Sequence, residues 1–197
     1  MKNSLLKMLV LPLVAAGCGP TWVVVKQANP NPLSGKKAFA VEALAWEKMS
    51  IGSREKDRMS LADYVAKKKP EEQEKWKADF AKDQEGAGEK FKEVLASKTK
   101  GAGLDTAAGA GPETFTIKPS VRVYEPGFWT PMGWGNRATE LHTTVEIVDG
   151  SGAVVDEVQF MSVIQPGTFN PSTGQRIRQA AEEWAAQLSN YLAGRTK

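Results

Sequence analysis

Two segments near the carboxyl terminus alternate apolar and polar residues and are joined by a short turn. In residues 141–147, Leu141, Val145 and Ile147 fall on every second position with Thr143, which predicts a strand with one buried face because successive side chains of a strand point to opposite sides. Residues 149–152, Asp-Gly-Ser-Gly, are typical of a hairpin turn, and residues 154–164 form the return strand. The chain is therefore expected to contain an antiparallel sheet.

Further strands are predicted on both sides of a charged central region. Residues 22–25 are aromatic and β-branched, and residues 39–46 form a second candidate strand after a Pro- and Gly-rich break. Alternation over 115–124 predicts a third, with Pro119 placing its middle at an edge or a bulge. Together with the hairpin, these segments supply five strands.

One helical region lies between the second and third of these strands, and a second follows the last strand. Residues 47–100 carry 14 Lys/Arg and 12 Asp/Glu with interleaved signs, which is typical of solvated helices. Ser60 can cap a short helix, and Pro70 suits the first turn of a longer one in which Gly86 and Gly88 favour a kink or a break. Ser172 or Thr173 can cap a final helix, whose apolar stripe consists of Ile177, Ala180, Ala181, Trp184, Leu188, Tyr191 and Leu192.

The order β-β-α-β-β-β-α predicts an α+β fold, in which helices pack on one face of a largely antiparallel sheet. We expect residues 22–197 to form a single domain. Within it, residues 47–100 are the charged helical segment and residues 101–112 a Gly/Ala-rich linker.

The first residues have the layout of a secretory signal. Lys2 and Lys7 give a positive start, residues 8–16 are uncharged and apolar, and small residues precede Cys18. The apolar run contains Pro12 and is about half of the ~20 residues that a membrane span requires. We therefore expect a cleaved signal peptide at residues 1–17.

Cys18 is the only cysteine, so it has no disulfide partner within the chain. Residues 14–18, Val-Ala-Ala-Gly-Cys, resemble the lipobox of bacterial lipoproteins, although Ala15 stands where Leu is usual. The resemblance implies diacylglycerol on the Cys18 sulfur, an acylated amino terminus with palmitate among the chains, and residues 18–21 as anchor and short tether. Gly19, in place of Asp, implies the outer membrane with the domain facing the periplasm. The alternative is an ordinary secretory signal that ends near a cysteine.

Charge and residue types argue against several classes of function. Removal of residues 1–17 lowers the net charge from +3 to +1, which argues against a nucleic-acid partner. His142 is the only histidine and is predicted on the polar side of its strand, without further metal ligands or a hydrolase elbow around a serine. The sequence thus predicts no catalytic residue, metal or cofactor.

Residues 124–135 combine aromatic side chains with Pro and Gly, which predicts a loop. One interpretation is a loop that docks a partner, since aromatics and Met are enriched in interface cores. A second is a loop that faces the membrane, because Trp favours the interfacial zone. A third is that the rings cover an open edge of the sheet. The residues concerned are Phe128, Trp129, Met132 and Trp134.

The carboxyl-terminal half is similar to small envelope lipoproteins of unassigned role, loosely related to the curli-secretion lipoprotein and the amino-terminal domain of TolB. The similarity rests on residues 133–135, 145–149 and 152–155, which are mainly strand and turn residues. It implies an α+β domain that acts as a non-catalytic binding or assembly module with an envelope protein as partner. A lipid-anchored periplasmic hydrolase and a purely structural envelope protein are the alternatives.

Overall fold

A computed structural model describes residues 22–111, 113–132 and 135–197. Its six strands are β1 (Trp22–Gln27), β2 (Phe39–Val41), β3 (Ser50–Ile51), β4 (Phe115–Glu125), β5 (Thr139–Val148) and β6 (Val154–Ile164). Its helices are α1 (Leu61–Ala66), α2 (Pro70–Gly101) and α3 (Thr173–Arg195), and a 3₁₀ turn at Glu55–Asp57 precedes α1. The predicted α+β class is confirmed.

All six strands belong to one sheet, in the order β1-β6-β5-β4-β2, with β3 also on β4. The β5–β6 hairpin is the predicted one, and its turn is closed by Asp149, which accepts hydrogen bonds from the amides of Ser151 and Ala153. The β4–β5 and β1–β6 pairs are also antiparallel. The sheet is therefore largely antiparallel, as predicted.

The outer edge of β4 departs from the prediction of one strand over residues 39–46. Two short parallel strands, β2 and β3, pair with opposite ends of β4, and Ala45 alone bridges the interval between them. Pro119 lies in this interval, where its carbonyl accepts a hydrogen bond from the Ala45 amide at 3.0 Å. A proline without an N–H is tolerated there because no continuous strand runs alongside it.

The long helix α2 is continuous through Gly86 and Gly88, so the predicted kink or break is absent. A Cβ on Gly86 would lie 3.3 Å from the Arg178 guanidinium of α3. The small residue thus allows close approach of the two helices, and this packing outweighs the loss of about 1 kcal/mol in helix propensity. Ser172 caps α3 in a capping box with Gln175, and Ser60 caps α1.

The core lies between the sheet and the pair α2–α3. Phe91 of α2 stacks on the buried ring of Trp184 in α3, and Phe80 stacks on Tyr124 of β4. Along β6, Phe160 and its alternate neighbours are buried, while Met161 and Val163 on the other face are exposed. The helices therefore cover one face of the sheet, as the alternation predicts.

A buried ion pair fixes β1 and α3 to β6. The Asp156 carboxylate is fully buried and accepts hydrogen bonds from Arg195 Nε at 2.7 Å, Arg195 Nη2 at 2.9 Å and Tyr191 Oη at 2.6 Å. The Ala28 amide, just after β1, donates to the same carboxylate at 3.1 Å. Arg195 also donates to the Ala28 carbonyl. We call Asp156, Tyr191, Arg195 and the Ala28 backbone the Asp156 network.

Candidate functional site

The predicted site residues fall into three groups in the structure. Cys18 and Trp134 lie outside the described residues. Phe128 and Met132 are exposed, at 47% and 82% of their surface, and Trp129 is half-buried. Tyr124, at the start of the predicted loop, belongs to β4 and is buried in the core.

The loop that carries Phe128 and Met132 leaves the sheet through a tight backbone pairing. Phe128 and Arg137 exchange two backbone hydrogen bonds, at 3.0 and 2.9 Å. Gly127 before them has φ +60°, and a Cβ there would lie 2.4 Å from the Arg137 carbonyl oxygen. Only glycine fits this position without movement of the backbone, so the base of the loop has a defined conformation.

Glu125 organises the same base from the end of β4. Its nearly buried carboxylate accepts hydrogen bonds from the amides of Gly127 at 3.2 Å and Ser53 at 3.3 Å. Arg137 pairs with Glu125 at 3.2 Å and donates to the Ser53 hydroxyl at 3.0 Å. The one charged residue of the loop is thus engaged at its base and not at its tip.

Arg176 in the first turns of α3 joins this loop to a second one. Its fully buried guanidinium donates to the carbonyls of Asn170 at 3.1 Å, Pro171 at 2.6 Å and Pro126 at 3.3 Å. It also donates to the Thr139 hydroxyl at 2.7 Å, which in turn donates to the Pro126 carbonyl. One cation therefore holds residues 126–138 and residues 165–172 together at one end of the sheet.

The second loop exposes Phe169, at 98% of its surface. Thr139 pairs with Ile164, which places the loop before β5 and the loop after β6 at the same end of the sheet. We call the surface formed by Phe128, Met132 and Phe169 the loop end. Residues 165–172 contain no charged side chain, and residues 126–138 contain only Arg137.

The first strand begins toward this same end. Trp22 pairs with Phe160, four residues before the end of β6, and Gln27 pairs with Asp156 farther from it. The amino-terminal end of β1 is therefore the end nearer to the loop end. Trp22 is packed edge-on against Tyr191, with ring centroids 5.3 Å apart, so the start of β1 is fixed on α3.

His142 lies on the sheet face opposite the helices, next to Glu140. Its Nε2 is 3.7 Å from the Glu140 carboxylate, longer than a hydrogen bond, and is buried without a hydrogen-bond partner in the described part of the chain. Burial lowers the pKa of His142, and Arg58 lowers it further against the opposing effect of Glu140. Within the three described ranges, no group of three potential metal ligands occurs.

A cleft of about 400 Å³ between α2 and the start of α3 contains two carboxylates, Asp79 and Asp83. Burial raises the pKa of Asp83, whereas a hydrogen bond from Lys75 lowers the pKa of Asp79. The Asp83 carboxylate occupies the space that a Cβ on Gly174 would fill, 2.0 Å from its position, at the amino terminus of α3. Asp83 of α2 therefore lies directly against the first turn of α3, where only a glycine leaves room for its carboxylate.

Two features of this region were not predicted from the sequence, the Arg176 guanidinium and the exposed ring of Phe169. Arg176 precedes Ala180 by four residues and so lies on the apolar stripe of α3, which is the signal that its side chain turns inward. Phe169 is a lone aromatic between Gly167 and Pro171, the same combination that singled out residues 124–135.

Comparison with known proteins yields no matching family model and no matching curated protein. The solved structures that are similar at low identity include the following three. A PelC variant from Paraburkholderia phytofirmans, described as a dodecamer, is 15% identical, with 86% of this chain and 98% of that chain covered and a TM-score of 0.44. XCC0632 from Xanthomonas campestris, of a family of unknown function, is 8% identical, with coverages of 86% and 90% and a TM-score of 0.46. A candidate lipoprotein from Caulobacter crescentus is 17% identical, with coverages of 55% and 81% and a TM-score of 0.36.

Proposed function

We propose that the chain is a bacterial lipoprotein, anchored by lipid on Cys18, that acts as a non-catalytic binding or assembly module of the cell envelope. The observation that carries the proposal is the position of the only cysteine. Cys18 directly follows a signal-like segment and precedes the first strand by four residues. No helix within the described ranges has the length and hydrophobicity to cross a membrane.

Lipid on Cys18 would hold the domain close to a bilayer. Four residues span at most about 14 Å, and two or more acyl chains anchor a protein far more firmly than the reversible binding of one chain. The expected location is the outer membrane, with the domain facing the periplasm. An attached domain at that distance is suited to contacts with other envelope proteins.

The non-catalytic part of the proposal is supported by the roles of the titratable groups. Asp83 is accounted for by its position at the start of α3, and Glu125 and Asp156 by hydrogen bonds and ion pairs within the fold. His142 stands 3.7 Å from Glu140, and its Nε2 is buried. For Glu125 and Asp156, these contacts support a structural role and not a catalytic one.

Intact mass spectrometry of the membrane-extracted protein tests the anchor, beside a Cys18→Ser variant. We expect the mass of residues 18–197 plus diacylglycerol and an amide-linked acyl chain, and no lipid in the variant. A product cut elsewhere that carries no lipid would refute the proposal, because Cys18 would then be a free thiol.

Cross-linking in intact envelopes tests the assembly role. The face of the sheet away from the helices exposes Met161 and Val163, which we would replace together by Ser. Leu61→Ser on α1 is the matched control, because Leu61 is similarly exposed on a different element. We expect the wild type to form discrete cross-links to envelope proteins. The double variant should lose these cross-links, and the Leu61→Ser control should retain them. A lipidated protein that forms no discrete cross-link in any of the three forms would contradict the assembly role.

A further inference from the structure

We infer that the loop end is a membrane-contact surface, which places Phe169, Met132 and Phe128 in the interfacial zone of the bilayer that holds the lipid on Cys18. The inference rests on the proposed anchor at Cys18. It goes beyond that anchor because it gives the domain one orientation, with the loop end toward lipid and the turn between β5 and β6 away from it.

The first step is the position of the chain's entry into the sheet. Trp22 is level with Phe160, and β6 continues from there for four more residues to Ile164. Four strand residues correspond to about 13 Å. Since β1 is antiparallel to β6, the amino-terminal end of β1 is the one nearer to the loop end.

The second step is the reach of the anchor. Cys18 lies four residues before Trp22, so its α-carbon is within about 14 Å of that of Trp22. That distance matches the remaining length of β6 up to the loop end. The opposite end of the sheet, at Val154, lies six strand residues from Phe160, or about 20 Å along β6. The anchor can therefore reach the level of the loop end but not that of the opposite end.

The third step is the chemistry of the surface. Phe169 is 98% exposed and Met132 is 82% exposed, and exposed apolar side chains grouped at one end of a domain mark contact surfaces for proteins or membranes. The two loops carry one charged residue between them, and that residue, Arg137, is paired with Glu125 at the base. Trp129, half-buried beside these residues, is of a type enriched where membrane meets water.

The fourth step is that the loops are held in place before they meet a membrane. Arg176 binds backbone carbonyls of both loops, and Gly127 fixes the turn at the base of the first. Ordering the backbone of the two loops therefore costs little on contact. A neutral apolar surface would bind without attraction to anionic headgroups, so we expect contact with zwitterionic lipid as well.

The experiment uses the lipidated full-length protein in vesicles of phosphatidylethanolamine and phosphatidylglycerol that contain no other protein. Lipid occupies the only native cysteine, so a Thr168→Cys variant offers one thiol for a nitroxide beside an intact Phe169. Ser151→Cys, in the turn at the opposite end of the sheet, is the matched control, since both positions are exposed. Collision of the label with oxygen and with a water-soluble nickel complex reports its depth.

We expect the label at 168 to collide several-fold less with the nickel complex and more with oxygen than the label at 151. Equal aqueous accessibility of both labels, in protein whose lipid is verified by mass, would overturn the membrane contact and leave the anchor standing. Protection at 168 that rises with the protein-to-lipid ratio would identify a second copy as the occupant and would also overturn it. Absence of lipid on Cys18 would instead refute the proposed function, and the inference with it.

Discussion

Replacement of Asp156 by Ala tests the view that one buried carboxylate holds β1, β6 and α3 together. The substitution removes the acceptor for Arg195, Tyr191 and the Ala28 amide in one step. Because it leaves a cation that is largely removed from solvent without its partner, we expect a loss of about 3–5 kcal/mol in the free energy of unfolding. Asp156→Asn preserves the shape and one acceptor oxygen, and we expect a smaller loss of about 1–3 kcal/mol.

The assay is urea unfolding of the chain from residue 19 at pH 7, followed by tryptophan fluorescence. A double-mutant cycle with Arg195→Ala isolates the pairwise contribution, since residues in one network are not additive. We expect a coupling of about 2 kcal/mol or more, near the upper part of the range for contacting residues. A loss below about 1 kcal/mol for Asp156→Ala would refute the reasoning, because surface pairs already account for that much.

Three further predictions concern pH and the packing of single residues. Burial alone would raise the pKa of Asp156, but hydrogen bonds from Arg195 and Tyr191 hold it below its usual range. The stability that the Asp156 carboxylate contributes is therefore complete above about pH 4 and is lost as the pH falls further. The urea midpoint of the wild type should consequently decline more steeply at acid pH than that of Asp156→Asn. Gly127→Ala should lower the stability by more than about 1 kcal/mol, because it combines φ +60° with a contact at 2.4 Å, and calorimetry would show it. Thr143→Val should raise the melting temperature, because the buried Thr143 hydroxyl has no hydrogen-bond partner within the described residues. Each kcal/mol gained in the free energy of unfolding corresponds to about 2–4 °C in the melting temperature of a chain of this size.

The elements that local pattern determines could be predicted from the sequence. Alternation and the Asp-Gly turn gave the β5–β6 hairpin, and side-chain capping identified the starts of α1 at Ser60 and of α3 at Ser172. Each of these signals lies within a few residues of the feature that it predicts. The α+β class followed from their order.

Features that depend on distant contacts could not be predicted. The two parallel strands β2 and β3 exist because β4 offers them an edge, and residues 39–51 contain no signal for a parallel partner. The helix α2 continues through Gly86, which packs against Arg178 of α3, more than 90 residues away in the sequence. Local propensity at Gly86 favoured a break, and tertiary packing overrode it.

The candidate site also combines features that local sequence predicts with features that depend on distant contacts. The exposed aromatic loop with Phe128 and Met132 could be located by composition, but composition did not decide between a partner, a membrane and cover for an open edge of the sheet. Phe169 joins that surface only through Arg176 and the pairing of Thr139 with Ile164. Cys18 lies outside the described residues, and its role stays a prediction that the mass of the membrane-extracted protein will test.

The pairing of β1 with β6 also determines how the domain would bear mechanical load. If the anchor is pulled while a partner holds the body of the domain, the force enters at Trp22 and runs along the β1–β6 ladder. The ladder is then loaded in shear, so that its hydrogen bonds must yield together and not one after another. The hydrogen bonds of Ala28 with Asp156 and Arg195 close the far end of this path and tie it to α3. A domain anchored in this way would resist unfolding by force at β1, the strand to which the tether is joined.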